Sequence, residues 1–419
     1  MHTTYNIVVY IISFFLKGIA HFNLKIKLFV EGRKNIFAYL QQNISADASI
    51  IWIHTASLGE FEQGLPIIEK LKKNYPEQKI LITFFSPSGY EVKKNSNVVD
   101  FICYLPLDSK YNAKKFISLV NPKLVIFVKY EIWPSYLNQL KTNNIPTLLT
   151  SAIFNKKQIF FKWYGAFMRK SLLNFTHFFV QDERSEMLLN SINIKNVTIS
   201  GDTRFDRVIE ILDRDNSLGF MNSFKGNKFC LVAGSTWPED EKIVVKHINT
   251  CLTSNKYIIA PHNINATHIK DLVASITKNT IVYSEIKNQN IASFDVLVID
   301  TIGLLTKIYS YADVAYVGGA FATGLHNTLE PAVFGIPIII GPNYDGFKEA
   351  KDLVTKKGIK VISNISSFNE VFNKLAINTK HYKAIGKINK SYVTANTGAS
   401  TVILDYIKQV KNSNKNNFL

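Results

Sequence analysis

Several short segments carry side chains suited to moving a proton or gripping an anion, and each follows a run of apolar, β-rich residues. In His54-Thr-Ala-Ser-Leu-Gly-Glu60, Gly59 permits a tight turn and Glu60 falls near the start of the next helical run. A carboxylate there is held by backbone N–H groups and the helix dipole, which keeps it ionised and able to act as a general base. The same position also suits a plain acid at a helix start, and His54 reads as a packed strand-end residue. Lys129-Tyr-Glu131-Ile-Trp133-Pro134 sets Glu131 on a loop, just ahead of a proline fit for the first turn of a helix. A cap or a surface acid is the alternative for Glu131. Gly201-Asp-Thr-Arg204-Phe205-Asp206 supplies a guanidinium for a phosphate or carboxylate, unless Arg204 pairs structurally with Asp202 or Asp206.

The second half of the chain offers anion and nucleotide chemistry. In Ala233-Gly-Ser-Thr-Trp-Pro-Glu239, the residues Gly234, Ser235 and Thr236 present N–H groups and hydroxyls to a phosphate, or cap the helix that the proline opens. The segment has neither the G-x-G-x-x-G spacing nor a Walker lysine. The densest signal is Gly318-Gly319-Ala-Phe-Ala-Thr-Gly324-Leu-His326-Asn327-Thr328-Leu329-Glu330-Pro331. Its glycines let backbone approach a ligand closely. A helical turn starting near His326 places Asn327 and Glu330 on one face, where a carboxylate can accept both hydroxyls of a ribose. This reads as a nucleotide site. No D-x-D element and no His/Asp cluster stands out as a metal site.

The elements that must position these residues alternate. Strands are expected at 50–54, 79–84, 101–104, 123–128, 146–150, 177–180 and 197–200, then at 228–233, 256–260, 296–299, 314–317 and 336–340. Helical patterns between them, such as Phe61–Lys73, Ala113–Val120, Pro134–Lys141 and Phe160–Leu173, make βαβ units and a parallel sheet in each half. The expected fold class is α/β, with two Rossmann-like domains facing a cleft. Ligands then bind beyond the carboxyl ends of the strands, where the segments above lie. The expected boundaries are an amino-terminal segment at 1–35, a first domain at 36–208, a linker at 209–227, a second domain at 228–410 and a flexible tail at 411–419. The run Thr401–Val410 is amphipathic and can pack back across the boundary.

Composition sets the outer limits. With 419 residues, 47% hydrophobic and 19% charged, the chain is globular rather than disordered. Its three cysteines are far apart, which excludes a disulfide scaffold or a Cys-based zinc site and fits a reducing compartment. The net charge of +17 favours anionic partners, namely nucleic acid, anionic lipid or a phosphorylated substrate, unless it reflects only a Lys- and Asn-rich composition. No RNA-binding motif, zinc finger or dense basic block supports nucleic acid. Residues 6–16 are apolar apart from Asn6, a run shorter than a bilayer-spanning helix needs, and lack the marks of a cleaved signal peptide. Lys17, Lys25, Lys27, Arg33 and Lys34 follow, interleaved with apolar residues. That pattern suits a helix lying in an anionic membrane interface, with a core helix as the alternative.

Taken in order, WIHTASLGE, KYEIWP, GDTRF, AGSTWPEDE, APHN, DTIGLL, VGGA and HNTLEPAVFGIPIIIGP resemble the bacterial 3-deoxy-D-manno-octulosonate (Kdo) transferases of lipopolysaccharide synthesis. The resemblance spans nearly the whole chain. It implies a GT-B fold, a metal-independent inverting mechanism with no cofactor, CMP-Kdo as donor co-substrate bound by the second domain, and a lipid A precursor as acceptor on the first. It implies the cytoplasmic face of the inner membrane as the location. In the family's pattern the proton acceptor matches Glu60, and the residues assisting the transition state match Glu131 and Arg204. CMP contacts carry over to Pro261 and His262, to Ile302, Gly303 and Leu304, and to Asn327, Thr328, Leu329 and Glu330. The chain departs from the common pattern at His262, where many relatives have Arg after the proline, at Leu304, often Glu, and at Gly324-Leu325, often a glycine pair. The Ser151–Phe154 segment lacks an Arg common there. A UDP-sugar glycosyltransferase or epimerase on the same fold is the rival reading.

Overall fold

The computed structural model describes residues 2–322 and 324–413. They form two units, Met1–Arg207 with the stretch from Thr397, and Val208–Asn396. In the first unit, β1 (Ile50–Thr55), β2 (Lys79–Phe84), β3 (Phe101–Tyr104), β4 (Pro122–Val128), β5 (Thr147–Ala152), β6 (His177–Val180) and β7 (Val197–Ile199) make one parallel sheet in the order β3-β2-β1-β4-β5-β6-β7. The second unit repeats the plan. There β8 (Cys230–Thr236), β9 (Lys256–Pro261), β10 (Thr280–Val282), β11 (Val296–Val298), β12 (Val314–Val317), β13 (Ile338–Ile340) and β14 (Ile359–Val361) run parallel in the order β10-β11-β9-β8-β12-β13-β14.

The central strands are apolar without alternation because both faces are covered. Along β1, Ile50 and Trp52 join one core, while Ile51 and Ile53 join the core on the opposite face. β4 divides in the same way, with Val125 and Phe127 on one side and Leu124, Ile126 and Val128 on the other. Side chains of period two thus fill two layers at once. Because every strand is parallel, the loops after β1, β4 and β7 leave one edge of the first sheet.

The structure corrects three expectations. The helix Ala399–Ser413 belongs to the first unit and not to a second domain ending at 410. Its Ile403, Leu404 and Ile407 bury in the first sheet's core, and Asp206 accepts hydrogen bonds from the N–H groups of Gly398 and Ser400 at 2.5 and 2.6 Å. Residues 209–227 are not a free linker, since the helix Gly219–Lys225 buries Met221 and Phe224 within the second unit. The helix expected over Phe160–Leu173 is broken into a short turn, Ile159–Phe161, and a helix, Ala166–Leu172. Gly165 lies so close to the preceding turn that a Cβ there would sit 1.7 Å from the Ile159 carbonyl oxygen. Of the tail 411–419, residues 411–413 continue the last helix and the remainder lies outside the described residues.

The amino-terminal helix His2–Ile19 is amphipathic with its apolar side outward. Tyr5, Asn6, Val9, Ser13 and Leu16 face the body, whereas Ile7, Tyr10, Ile11, Ile12, Phe14 and Phe15 are each at least half exposed. Tyr5 Oη donates to Asp108 Oδ2 at 2.8 Å, and Asn6 Oδ1 accepts from the Lys110 N–H at 2.8 Å, so polar contacts seat the helix. A second helix, Leu24–Glu31, follows. Among the described residues no helix is long and apolar enough to cross a membrane.

Candidate active site

In the first unit, β1 runs out into Ser57, which takes an extended conformation and caps the helix Leu58–Asn74. The Ser57 hydroxyl donates to Glu60 Oε2, which fixes a half-buried carboxylate in the first turn, at the positive end of the helix dipole. One turn on, Gln63 Nε2 donates to Asp202 Oδ1 at 2.7 Å, and the Gln63 carbonyl accepts from Thr203 Oγ1 at 2.5 Å. These bonds tie the helix to the loop after β7. Asp202 is buried and orients Arg204, accepting its N–H at 2.9 Å, its Nε at 2.8 Å and its Nη2 at 2.8 Å. The Arg204–Asp202 pair weighed on sequence grounds therefore exists. It holds a guanidinium whose side chain stays 38% exposed, so Asp202 orients it while solvent or a ligand can still reach it.

Tyr130 links this group to the loop after β4. Burial chiefly raises its hydroxyl above the ordinary 10.0, with Arg204 opposing the rise and Asp202 and Glu60 adding to it. Glu60, Arg204 and Tyr130 thus share one electrostatic neighbourhood. Lys129, at a φ of 73°, turns the chain sharply out of β4. Glu131 then enters a second cluster, where its Oε2 accepts from Trp133 Nε1 at 2.9 Å and meets His54 Nε2 at 3.2 Å. His54 Nδ1 and Trp52 Nε1 both reach Thr83 Oγ1 at 2.8 Å. His54 is buried, as the sequence implies, and it also steadies Glu131.

In the second unit the ends of β8, β9 and β12 meet. Trp237 opens the helix Pro238–Thr250, stacks on His262 at 4.7 Å and 19°, and donates from Nε1 to His326 Nε2 at 2.9 Å. His262 and His326 lie 4.8 Å apart at 31°, completing an aromatic platform. Burial first, and His262 second, hold the His326 pKa below the ordinary 6.5, with Asp240 opposing; a neutral ring is what accepting from Trp237 requires. Beneath the platform, buried Asp240 accepts from Trp237 N–H at 2.9 Å, Gly319 N–H at 2.8 Å and Tyr316 Oη at 2.6 Å. Gly318 and Gly319 serve this chain's own packing. A Cβ on Gly318 would fall 2.4 Å from the Ser235 carbonyl oxygen, and one on Gly319, at φ +94°, would fall 2.2 Å from that of Gly324.

Glu330 is half-buried in the short helix Leu329–Val333, where its Oε2 accepts from Thr306 Oγ1 at 2.8 Å and its Oε1 from Asn327 Nδ2 at 3.0 Å. Asn327 is exposed, and the buried Thr328 hydroxyl has no partner among the described residues. Pro261 closes β9, and the His262 N–H donates to the Thr236 carbonyl at 2.9 Å. Ile302 and Gly303 are exposed, and Leu304 caps the helix Leu305–Tyr309. Gly234 and Thr236 are buried within β8, with Ser235 half-buried at a φ of 53°.

Residues that sequence reasoning left out of the site are Ser57, Gln63, Tyr130, Asp202, Trp237 and His326. Ser57 and Trp237 carried a local signal, since both immediately precede helices. Among the described residues, no group of three or more His, Cys, Asp or Glu side chains is arranged to hold a metal ion.

Two parallel sheets with strand-end sites define the GT-B class of two Rossmann-like domains. Solved structures agree on the fold. UDP-GlcNAc 2-epimerase from Neisseria meningitidis matches with a TM-score of 0.61 at 15% identity, over 86% of this chain and 100% of that one. MurG from Acinetobacter baumannii matches with a TM-score of 0.54 at 12% identity, over 86% and 99%. The sequence relatives are more specific. The family described as 3-deoxy-D-manno-octulosonic-acid transferase (kdotransferase) matches residues 31–207. The 3-deoxy-D-manno-octulosonic acid transferase of Aquifex aeolicus (strain VF5) is 30% identical over 315 residues, 74% of this chain and 80% of that protein. The Haemophilus influenzae transferase of the same name is 28% identical over 380 residues, 85% and 86% of the two chains. The chain belongs to the 3-deoxy-D-manno-octulosonic acid transferase family and is a glycosyltransferase.

Proposed function

We propose that this chain transfers Kdo from CMP-Kdo to a lipid A precursor in lipopolysaccharide core synthesis, with Glu60 as general base. The observation that carries the reading is the Glu60 carboxylate, fixed by Ser57 at a helix N-terminus and sharing its surroundings with Tyr130 and the Asp202-oriented Arg204. Glu60 removes the proton from an acceptor sugar hydroxyl. The freed oxygen bonds to the anomeric carbon of Kdo as the bond from that carbon to the CMP phosphate oxygen breaks, so one displacement inverts the centre and CMP departs with the bonding electrons. Arg204 balances charge on the phosphate or the Kdo carboxylate. Glu131, held by Trp133 and His54, assists the same transition state.

For the donor, the second unit offers Asn327 and Glu330 to the ribose hydroxyls, with Pro261, His262, Ile302, Gly303, Leu304, Thr328 and Leu329 around the nucleotide and Gly234, Ser235 and Thr236 near its phosphate. The reaction needs no metal in this reading. The outward apolar face of the first helix, followed by Lys17, Lys25 and Lys27, supports placement on the anionic cytoplasmic face of the inner membrane, where the acceptor lives.

The test is transfer from freshly generated CMP-Kdo to a tetra-acylated lipid A precursor in the presence of chelator, with products resolved by mass. Gain of one or more Kdo units is expected; no gain beside an active control enzyme overturns the reading. The UDP-dependent rival takes its support from the epimerase-like fold, and competition by UDP rather than CMP would favour it.

A further inference from the structure

The segment after β5 holds an exposed aromatic pair in a fixed place. Trp163 is 90% exposed and Tyr164 58% exposed, with their rings edge-to-face at 5.5 Å. The loop beneath them is tied down. Arg169 donates from Nε to the Phe160 carbonyl at 2.8 Å and from Nη2 to the Lys162 carbonyl at 2.7 Å, and Gly165 packs against the Ile159 carbonyl. A large indole held rigidly in water gains nothing from its position, whereas at a lipid headgroup boundary its apolar body and N–H are both accommodated.

Its neighbours point the same way. Phe167, the second residue of the following helix, meets His2 at 5.0 Å and Tyr5 at 5.5 Å, so the loop stands beside the amino-terminal end of the first helix with its outward apolar face. Charge complements an anionic surface. Lys156, Lys157, Lys162, Arg169 and Lys170 flank the pair in the sequence, and no acidic residue occurs between Asn155 and Gln181 or before Glu31. We infer that Trp163 and Tyr164 form a second membrane contact, inserting into the headgroup region of a bilayer rich in anionic phospholipid while the first helix lies on it. Two separated contacts would fix the first unit's orientation to the membrane, which one helix leaves free to roll. The inference rests on the reading that the first helix is membrane-seated.

The test uses the full chain and vesicles of phosphatidylethanolamine and phosphatidylglycerol, with and without brominated acyl chains. Compared with wild type are Trp163→Phe, the double variant Trp163→Ser/Tyr164→Ser, and Ile11→Glu/Phe15→Glu. Brominated chains are expected to quench wild-type emission, and the quenching to vanish in Trp163→Phe, because Trp52 is buried and Trp133 and Trp237 are half-buried. The loop double variant is expected to bind about ten-fold more weakly, and neutral vesicles to bind poorly. Its thermal melting should match wild type, since the two side chains have no part in the core. Unchanged quenching in Trp163→Phe, or unchanged affinity in the loop variant while Ile11→Glu/Phe15→Glu loses binding, overturns the second contact and leaves the first helix standing. Wild type failing to bind any vesicle overturns both.

Discussion

Trp133 donates its indole N–H to Glu131 Oε2 at 2.9 Å, and the same oxygen meets His54 Nε2 at 3.2 Å. Two partners on one oxygen fix how the carboxylate is presented. Hydrogen bonds to a charged group are worth more than neutral ones, about 1.5–3 kcal/mol each. Trp133→Phe deletes the donor and can keep the ring packing on Phe85, now at 4.7 Å. We expect kcat to fall roughly 10-fold with little change in the KM for CMP-Kdo, following the size of such a bond. Steady-state kinetics on the folded variant checks this, and an unchanged kcat would remove Glu131's orientation from the account.

Asp202 joins the loop after β7 to the helix that bears Glu60. It accepts from Gln63 and from both the backbone and side chain of Arg204, at a site 6% exposed. Asp202→Ala leaves the buried Gln63 amide without this acceptor and frees Arg204 from its orienting carboxylate, and a buried polar group so stranded costs about 1–3 kcal/mol. Melting of the variant should therefore move down by several degrees and activity should drop with it. Arg204→Lys, by contrast, should melt near wild type while losing the two-pronged geometry and much of kcat.

Acid–base behaviour offers a test away from the site. Asp108 accepts from Tyr5 of the first helix and from the N–H groups of Ser135 and Tyr136 at the start of the helix Pro134–Thr142. Burial pushes its carboxyl up from the ordinary 3.8 to about 6, against those hydrogen bonds, which favour the ionised form. The folded state then binds more protons than the unfolded state between these values, so this group's contribution to stability falls as pH rises from about 4 to about 6. The change is on the order of 1–3 kcal/mol. Asp108→Asn should flatten that part of the melting-temperature profile. A variant with the wild-type slope over the same interval would contradict the assignment.

What the chain's text discloses follows the range of the forces involved. β1 and β4 read clearly because a strand buried on both faces is a continuous apolar run, and local order then placed Glu60 and Glu131 just beyond their ends. The edge strands β10 and β14 escaped notice, being three residues long with Lys360 in the middle of the latter. Contacts between distant segments were equally hidden. Trp237 and His326 are 89 residues apart, and Gln63 and Asp202 are 139 apart, so no local pattern joins them. The segment 209–227 looked like a linker because its polar residues outnumber its apolar ones, yet Met221 and Phe224 bury fully. The glycines at 318 and 319 read as room for a ligand, and geometry assigns them to close packing against Ser235 and Gly324.

The most direct measurement of the central claim is Kdo transfer by Glu60→Gln beside wild type, in the same preparation and with folding and CMP binding checked in parallel. The substitution keeps the size of the side chain and its contact with Ser57 while removing the base. Loss of a positioned general base costs about 10²- to 10⁴-fold, so kcat should fall by that order with CMP affinity unchanged. Near-normal turnover by the folded variant would contradict Glu60 as the proton acceptor.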